Sequence, residues 1–392
     1  MYVKNKKDKM SVFHKISFLL FLSFVLFNCE PEKKGFSPVE KSFELVDVPV
    51  PDDAINTNID KFPLPSLSEY GFFDSPLAFL HPRDMVLPYE PITSLFTDYA
   101  FKKRFVWMPI GAEAQIDAEG VVQFPLGTIL IKHFYYPADF SNENEKWDMM
   151  ETRLLVKSGE DWKAYSYVWN EDDSDAFYNP VGDILNASFV DKKGLAKSVD
   201  YAVPNKNQCK SCHNRDNIIK PLGPIVQNLD KDVVYPDGKM NQVTKWQSVG
   251  YLAKDYVKKP NHKPLADWQD KSKSLEERSL AYLQVNCGHC HRENGSAHTT
   301  GLFLLTTMED RKKLGICKTP VAAGKGAGNL KFDIQPGQPE ASILLYRMKS
   351  EDPGVMMPEL GRMIKHEEGI QLISDWIASM PNNCEKALQP EL

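Results

Sequence analysis

The chain lacks an apolar run long enough to stay in a bilayer. Its longest, Ile16 to Phe27, holds twelve residues. As a helix these would rise roughly 18 Å against a hydrocarbon core of about 30 Å, which argues against a permanent transmembrane anchor. It also lacks an excess of positive charge. Lys and Arg number 47 against 53 Asp and Glu, for a formal charge of −6, and no long basic run follows the first fifteen residues. That balance argues against nucleic acid as a partner. Cysteine is scarce, with seven residues in 392. So few thiols cannot staple a fold of this size, and each one needs its own explanation.

Four of the seven stand in two copies of one pattern, Cys209-Lys-Ser-Cys212-His213 and Cys287-Gly-His-Cys290-His291. Two thiols one helical turn apart can each form a thioether with a haem vinyl group, and the adjoining imidazole then reaches the iron. Three other readings are weaker. A zinc ribbon sets its Cys-x-x-Cys pairs about 15–20 residues apart, whereas Cys212 and Cys287 are 75 positions apart. A dithiol-exchange pair sits near a βαβ pattern, and none flanks either motif. Two short-loop disulfides would leave both histidines without a reason. The motifs therefore predict two covalently bound c-type haems, with His213 and His291 as proximal iron ligands.

Residues 1–29 read as an export signal. Lys4, Lys6, Lys7, Lys9 and Lys15 precede the apolar run, and Met10 is an alternative start. The stretch ends Leu26-Phe27-Asn28-Cys29, which resembles a bacterial lipoprotein box with Cys29 as the lipidated residue. Phe27 and Asn28 depart from the small residues preferred there, and an ordinary cleaved signal is the alternative. Residues 30–61, rich in Pro, Lys and acids, read as a tether. Export would place the chain in the periplasm or cell envelope, where cysteines can be oxidised. Loss of residues 1–28 would remove five Lys and one Asp and take the formal charge to −10. Of the two remaining cysteines, Cys317 and Cys384, a disulfide is expected, with two buried free thiols as the alternative.

Residues 62–203 read as a β-rich, sandwich-like domain. Runs such as Gly127–Tyr136, Arg153–Lys157 and Trp162–Trp169 combine β-branched and aromatic residues with partial alternation. Its histidines, His81 and His133, and its aromatics are expected to be structural. Residues 204–273 form the first haem segment. Pro221-Leu-Gly-Pro224 is similar to the proline loop of c-type cytochromes, whose carbonyl orients the proximal imidazole; a plain turn is the alternative. A helix is expected from Gln242 to Lys254. Residues 274–392 form the second haem domain. Ser274-Leu-Glu-Glu277 predicts a capping box opening a helix that runs into Cys287, and Ile370, Ile373, Trp376 and Ile377 mark an amphipathic terminal helix. Helices so placed resemble those that class I cytochromes c pack across each other, so both haem segments are expected to be mainly α-helical.

A low-spin haem needs a sixth ligand. For the second haem it is expected to be Met357, which precedes Pro358 in a Met-Pro loop. Met356 is the competitor, and core filling is the ordinary role of both. For the first haem Met240 and then His262 are the candidates.

From about Leu64 onward the chain resembles a family of predicted bacterial dihaem c-type cytochromes, often lipoproteins encoded beside parallel-β-helix proteins. Ser94-Leu-Phe-Thr-Asp-Tyr99, Arg104-Phe-Val-Trp107, Phe124-Pro-Leu-Gly-Thr128, the Cys209–His213 motif, Pro336–Ser342 and Met356–Gly361 carry the resemblance. It implies a dihaem protein without naming a reaction. The expectation is a lipid-anchored carrier of single electrons that meets a redox partner protein. A peroxidase-like dihaem oxidoreductase with an open first haem is the alternative. A partner-binding β module with structural haems is the third reading.

Overall fold

The β-branched and aromatic runs pair into one antiparallel sheet. Its strands are β1 (Leu87–Pro88), β2 (Phe101–Trp107), β5 (Ile129–Pro137), β6 (Trp147–Ser158), β7 (Asp161–Trp169) and β8 (Ala176–Tyr178), neighbours in that order. Between β2 and β5 the chain makes a small hairpin, β3 (Gln115–Ile116) and β4 (Val122–Gln123). A longer hairpin, β9 (Asp183–Val190) with β10 (Ala196–Val203), follows β8. The computed structural model describes residues 55–389 apart from 57, 145, 216, 217, 322 and 323. Cys29, the export signal and nearly all of the tether lie outside those residues.

Register assigns the two faces of the sheet. Phe105, Ile131, Leu154 and Tyr165 stand opposite one another across β2, β5, β6 and β7. They belong to a continuous apolar core closed by Leu67, Tyr70, Phe72, Phe73 and Leu77 from the preceding segment. Each such buried side chain contributes about 1.5–3 kcal/mol relative to exposure. Because side chains alternate, the next row along, Arg104, Lys132, Arg153 and Ser166, faces the other way. That second face has two apolar clusters. One joins Val106, Leu130 and Trp162 to Leu229, Trp246 and Leu252. The other joins Phe134 and Tyr136 to Ala187, Phe189, Val199 and Tyr201 of the β9–β10 hairpin. The charged row runs between them.

Residues after 203 do not build two mainly helical cytochrome-like segments. This overturns the expected fold class, while residues 62–203 are β-rich as expected, built as a six-stranded sheet with the β9–β10 hairpin packed on one face. The 204–273 stretch has three short helices, α1 (Lys206–His213), α2 (Val226–Leu229) and α3 (Gln242–Ser248). Among them lie the hairpins β11 (Asn214–Arg215) with β12 (Ile218–Ile219) and β13 (Asp232–Tyr235) with β14 (Gly238–Asn241). After 273 come α4 (Leu275–Asn286), α5 (Ile343–Lys349), α6 (Glu367–Ser379) and α7 (Cys384–Ala387), with loops and 3-10 turns across 287–342. The reason is local. Ile218-Ile219 and Val233-Val234 favour extended pairing, Pro236-Asp237-Gly238 makes a tight turn, and Gly and Pro recur from Gly288 to Gly361. The helix expected over 242–254 stops at Ser248, since Val249 leaves helical geometry and Gly250 has φ 79°.

One helix pair does cross. Gly369 of α6 meets Tyr282 of α4 so closely that a Cβ there would lie 2.2 Å from the phenol oxygen. Trp376, 1 % exposed, and Ile373 of α6 bury with Leu283 of α4 in the core of this part. The 204–273 stretch shares its core with the sheet, and Phe96–Tyr99 ties the sheet to the last part.

Candidate functional site: two facing attachment motifs

The first motif is presented by α1. Asn205 caps it by accepting from the amides of Asn207 and Gln208, and the Gln208 side chain returns the bond in a capping box. The β11–β12 hairpin then carries the chain back to Lys220. Its carbonyl stands 2.8 Å from His213 Nδ1, and its amide donates to the His213 carbonyl at 2.9 Å. A carbonyl only accepts, so Nδ1 carries the proton and Nε2 keeps its lone pair. Burial holds the His213 ring neutral by pushing its pKa down to about 4, against the pull of the Lys220 carbonyl. An oriented, neutral imidazole with a basic Nε2 is what a metal ligand needs. The acceptor is thus the residue just before Pro221.

The second motif leaves the end of α4, where Cys287 is the C-cap and Ser274 and Glu277 form the capping box at the start. Gly288 permits the turn. A Cβ there would lie 2.6 Å and 2.7 Å from the carbonyls of Gln284 and Leu304. His291 is also kept neutral by burial, at about 4, with the Leu302 carbonyl acting the other way. The Thr300 hydroxyl sits 3.5 Å from its Nδ1.

The two motifs lie near one another. Burial raises the Cys212 thiol to about 11, and the nearby Cys290 adds to that. Glu119 spans the two, 3.3 Å from Arg215 just after the first motif and 3.7 Å from Arg292 just after the second. A cavity of about 340 Å³ there is lined by Glu119, Trp162, Arg215, Lys220 and Asn294 among others. All four motif cysteines are unbonded and half-buried. Burial raises every one of their thiol pKa values, Cys287 to about 12. Dithiol exchange requires the opposite, a stabilised thiolate.

Met357 lies in a loop built for fixed position. Its amide donates to Arg347 O at 3.0 Å, and its carbonyl accepts from Arg362 Nη2 at 2.9 Å. Arg362 is buried and bonds backbone oxygens of residues 347, 348, 350, 357 and 364. The loop adjoins both motifs, since the Glu359 carboxylate contributes to raising Cys212 and Cys290, and Arg362 acts on Cys287. Met356 is buried in the protein interior.

The candidates for the first haem's sixth ligand are placed differently. Met240 is in strand β14 opposite Val233, where a loop was expected. His262, 0 % exposed, has both ring nitrogens engaged, Nδ1 with the Tyr256 hydroxyl at 3.0 Å and Nε2 with the Ala118 carbonyl at 3.2 Å. His133 is a core residue bonded to Thr152 at 2.6 Å, and His81 stacks on Phe79. Cys317 and Cys384 form a disulfide. Among the described residues no group of three or more His, Cys, Asp or Glu is placed to hold a bare metal ion.

Three features had no sequence signal. Glu119 bridges motifs that are far apart in the chain. His289, inside the second motif, is held neutral at about 4 by burial, adjoins His213, and has a buried Nδ1 without a partner among the described residues. The Arg104–Lys132–Arg153 row stands beside the first motif, its charges felt at Cys209, Cys212 and His213. Unbonded thiol pairs, two neutral imidazoles, that of His213 with its Nδ1 oriented, and a methionine with a clamped backbone are a donor set that fits c-type haem. Searches against family models, curated proteins and solved structures return no match to this chain.

Proposed function

We propose that the chain is an exported dihaem c-type cytochrome, anchored to a membrane through lipidated Cys29, that passes single electrons to and from a redox partner protein. The observation that carries this reading is the pair of Cys-x-x-Cys-His motifs brought near each other, with His213 Nδ1 tied to the Lys220 carbonyl. The haems would supply the one-electron chemistry, and the protein binding, orientation and electrostatics. Cys209 and Cys212 would hold one haem, Cys287 and Cys290 the other. His213 and His291 would offer Nε2 to the irons, and the Lys220 and Leu302 carbonyls would keep those nitrogens basic. Met357 would offer its sulfur to the second iron, a choice that raises the reduction potential relative to a second imidazole. The fixed Arg362 clamp favours that role, because a held loop loses less order on binding.

Mass spectrometry of protein matured in a cytochrome-c-assembling host tests the reading. Porphyrin adducts are expected on both motif peptides; their absence from both would overturn it. A second reading, the peroxidase-like oxidoreductase, is favoured by one observation. Both ring nitrogens of His262 are already engaged, so His262 is not a free sixth ligand for the first iron. A five-coordinate high-spin ferric signal with turnover of hydrogen peroxide would select it. Low-spin spectra at both haems without turnover would select the carrier.

A further inference from the structure

Arg104 of β2, Lys132 of β5 and Arg153 of β6 are direct cross-strand partners, so three cations stand side by side on one sheet face. One step along, Lys102 and Glu151 flank Phe134 on the same face. Like charges directly opposite destabilise a sheet, and this face offers little relief. Glu151, fully buried, gives its Oε1 to Arg153 and to the Tyr201 hydroxyl at 2.6 Å, and its Oε2 has no partner among the described residues. Among the described residues the side chains of Lys102, Arg104 and Lys132 have no hydrogen-bond or ion-pair partner; Lys132 lies only over the Phe134 ring, 4.6 Å from its centre. Apolar clusters close the face on either side. Asp98 acts on Lys102, Glu90 on Arg104 and Glu151 on Lys132, so four half-buried cations, Arg153 included, share three carboxylates between walls of hydrophobic residues. The surplus cation makes a site for an anion.

The first motif spans this face of the sheet. Val203, six residues before Cys209, packs in the cluster with Phe134 and Tyr201, and Ile219, six after His213, packs in the cluster with Leu130 and Trp162, its amide 2.8 Å from Asp161 Oδ1. Arg153 lies on the side of Cys209 and Cys212, and Lys132 near His213. From β6 to β2 is two strand spacings, about 9.5 Å, close to the width of a porphyrin from its vinyl edge to its propionate edge. We propose that the Lys102–Arg104–Lys132 end of this row receives the propionate carboxylates of the haem attached at Cys209 and Cys212. This rests on the dihaem reading. The cations neutralise the propionates, favour the ferrous over the ferric iron, and raise that haem's reduction potential.

Spectroelectrochemical titration of the full-length, matured protein tests it, with haem stoichiometry measured on the same samples. R104Q and K132Q are each expected to lower the midpoint potential of one haem only, with R104K and K132R restoring it. K163Q, at an exposed position of β7, is the control. Two attached haems whose potentials move no more in R104Q and K132Q than in K163Q would overturn this assignment and leave the dihaem reading intact. No porphyrin at Cys209 and Cys212 would overturn both. A cation-dependent Soret change seen only on adding succinate would give the row to a soluble anion and overturn it too. Should the variants not mature, the propionate-bending bands in the resonance Raman spectrum of the unaltered protein decide. A strongly hydrogen-bonded frequency at one haem supports the site, and solvent-like frequencies at both refute it.

Discussion

The His366 imidazole stacks on Phe96 at 4.2 Å, meets Trp268 edge-on and accepts or donates a 2.9 Å bond with the Tyr282 hydroxyl. Burial lowers its pKa from 6.5 to about 4, with Glu368 pulling the other way. The unfolded chain therefore binds the proton first. Stability from this residue is complete above pH 6.5 and is lost as pH falls towards 4, by at most ~3 kcal/mol. Urea unfolding at pH 7 and pH 4.5 should show that loss, and H366Q should flatten it. Arg362 is the second sensitive residue. R362M strands several backbone oxygens and is expected to cost about 3 kcal/mol. It should also weaken any iron–thioether charge-transfer band from Met357, measured on the same samples. The two Cys-x-x-Cys-His motifs can be picked out of the sequence because their spacing alone marks them. The Arg104–Lys132–Arg153 row cannot, because only strand register makes neighbours of residues 28 and 21 positions apart.

At the level of elements, strong local signals were readable and weak ones were overridden. The alternating runs at 127–136 and 162–169 became β5 and β7. The Ser274–Glu277 capping box opens α4, with Glu277 Oε2 2.9 Å from the Ser274 amide. S274A is expected to cost about 1 kcal/mol and to leave the spectra of the proposed haems unchanged, since α4 is held further along by Leu283 and Tyr282. A shifted melting temperature with identical spectra checks this. The short hairpins β11–β12 and β13–β14 were hidden, because two-residue and four-residue strands have too few positions to show a period. The helical expectation for residues after 203 generalised from two good helices to sequence that Pro, Gly and β-branched pairs keep extended.

Across the whole molecule, long-range ties join parts that the sequence reads as separate. Asp98 Oδ1 accepts from the amides of Met363 and Ile364, Tyr99 donates to Glu368 at 2.7 Å, and Asn286 accepts from the Phe96 amide. Phe96, Asp98 and Tyr99, all within Ser94–Tyr99, make these ties. Domain limits drawn from composition miss such ties, which come from side chains hundreds of positions apart. The Cys317–Cys384 disulfide closes a span of 67 residues. Replacing both with Ala is expected to cost about 4 kcal/mol, the loop-closure value, read as a lower urea midpoint. Iodoacetamide labelling of the unreduced protein should spare both cysteines.

The Glu119 bridge is a link that salt can loosen. Its carboxylate is 69 % exposed and reaches Arg215 at 3.3 Å and Arg292 at 3.7 Å, so it contributes no more than about 1 kcal/mol and less as ionic strength rises. On the dihaem reading proposed above, the spacing of the two motif-bearing segments would then respond to the ionic medium, while the buried contacts beneath them would not.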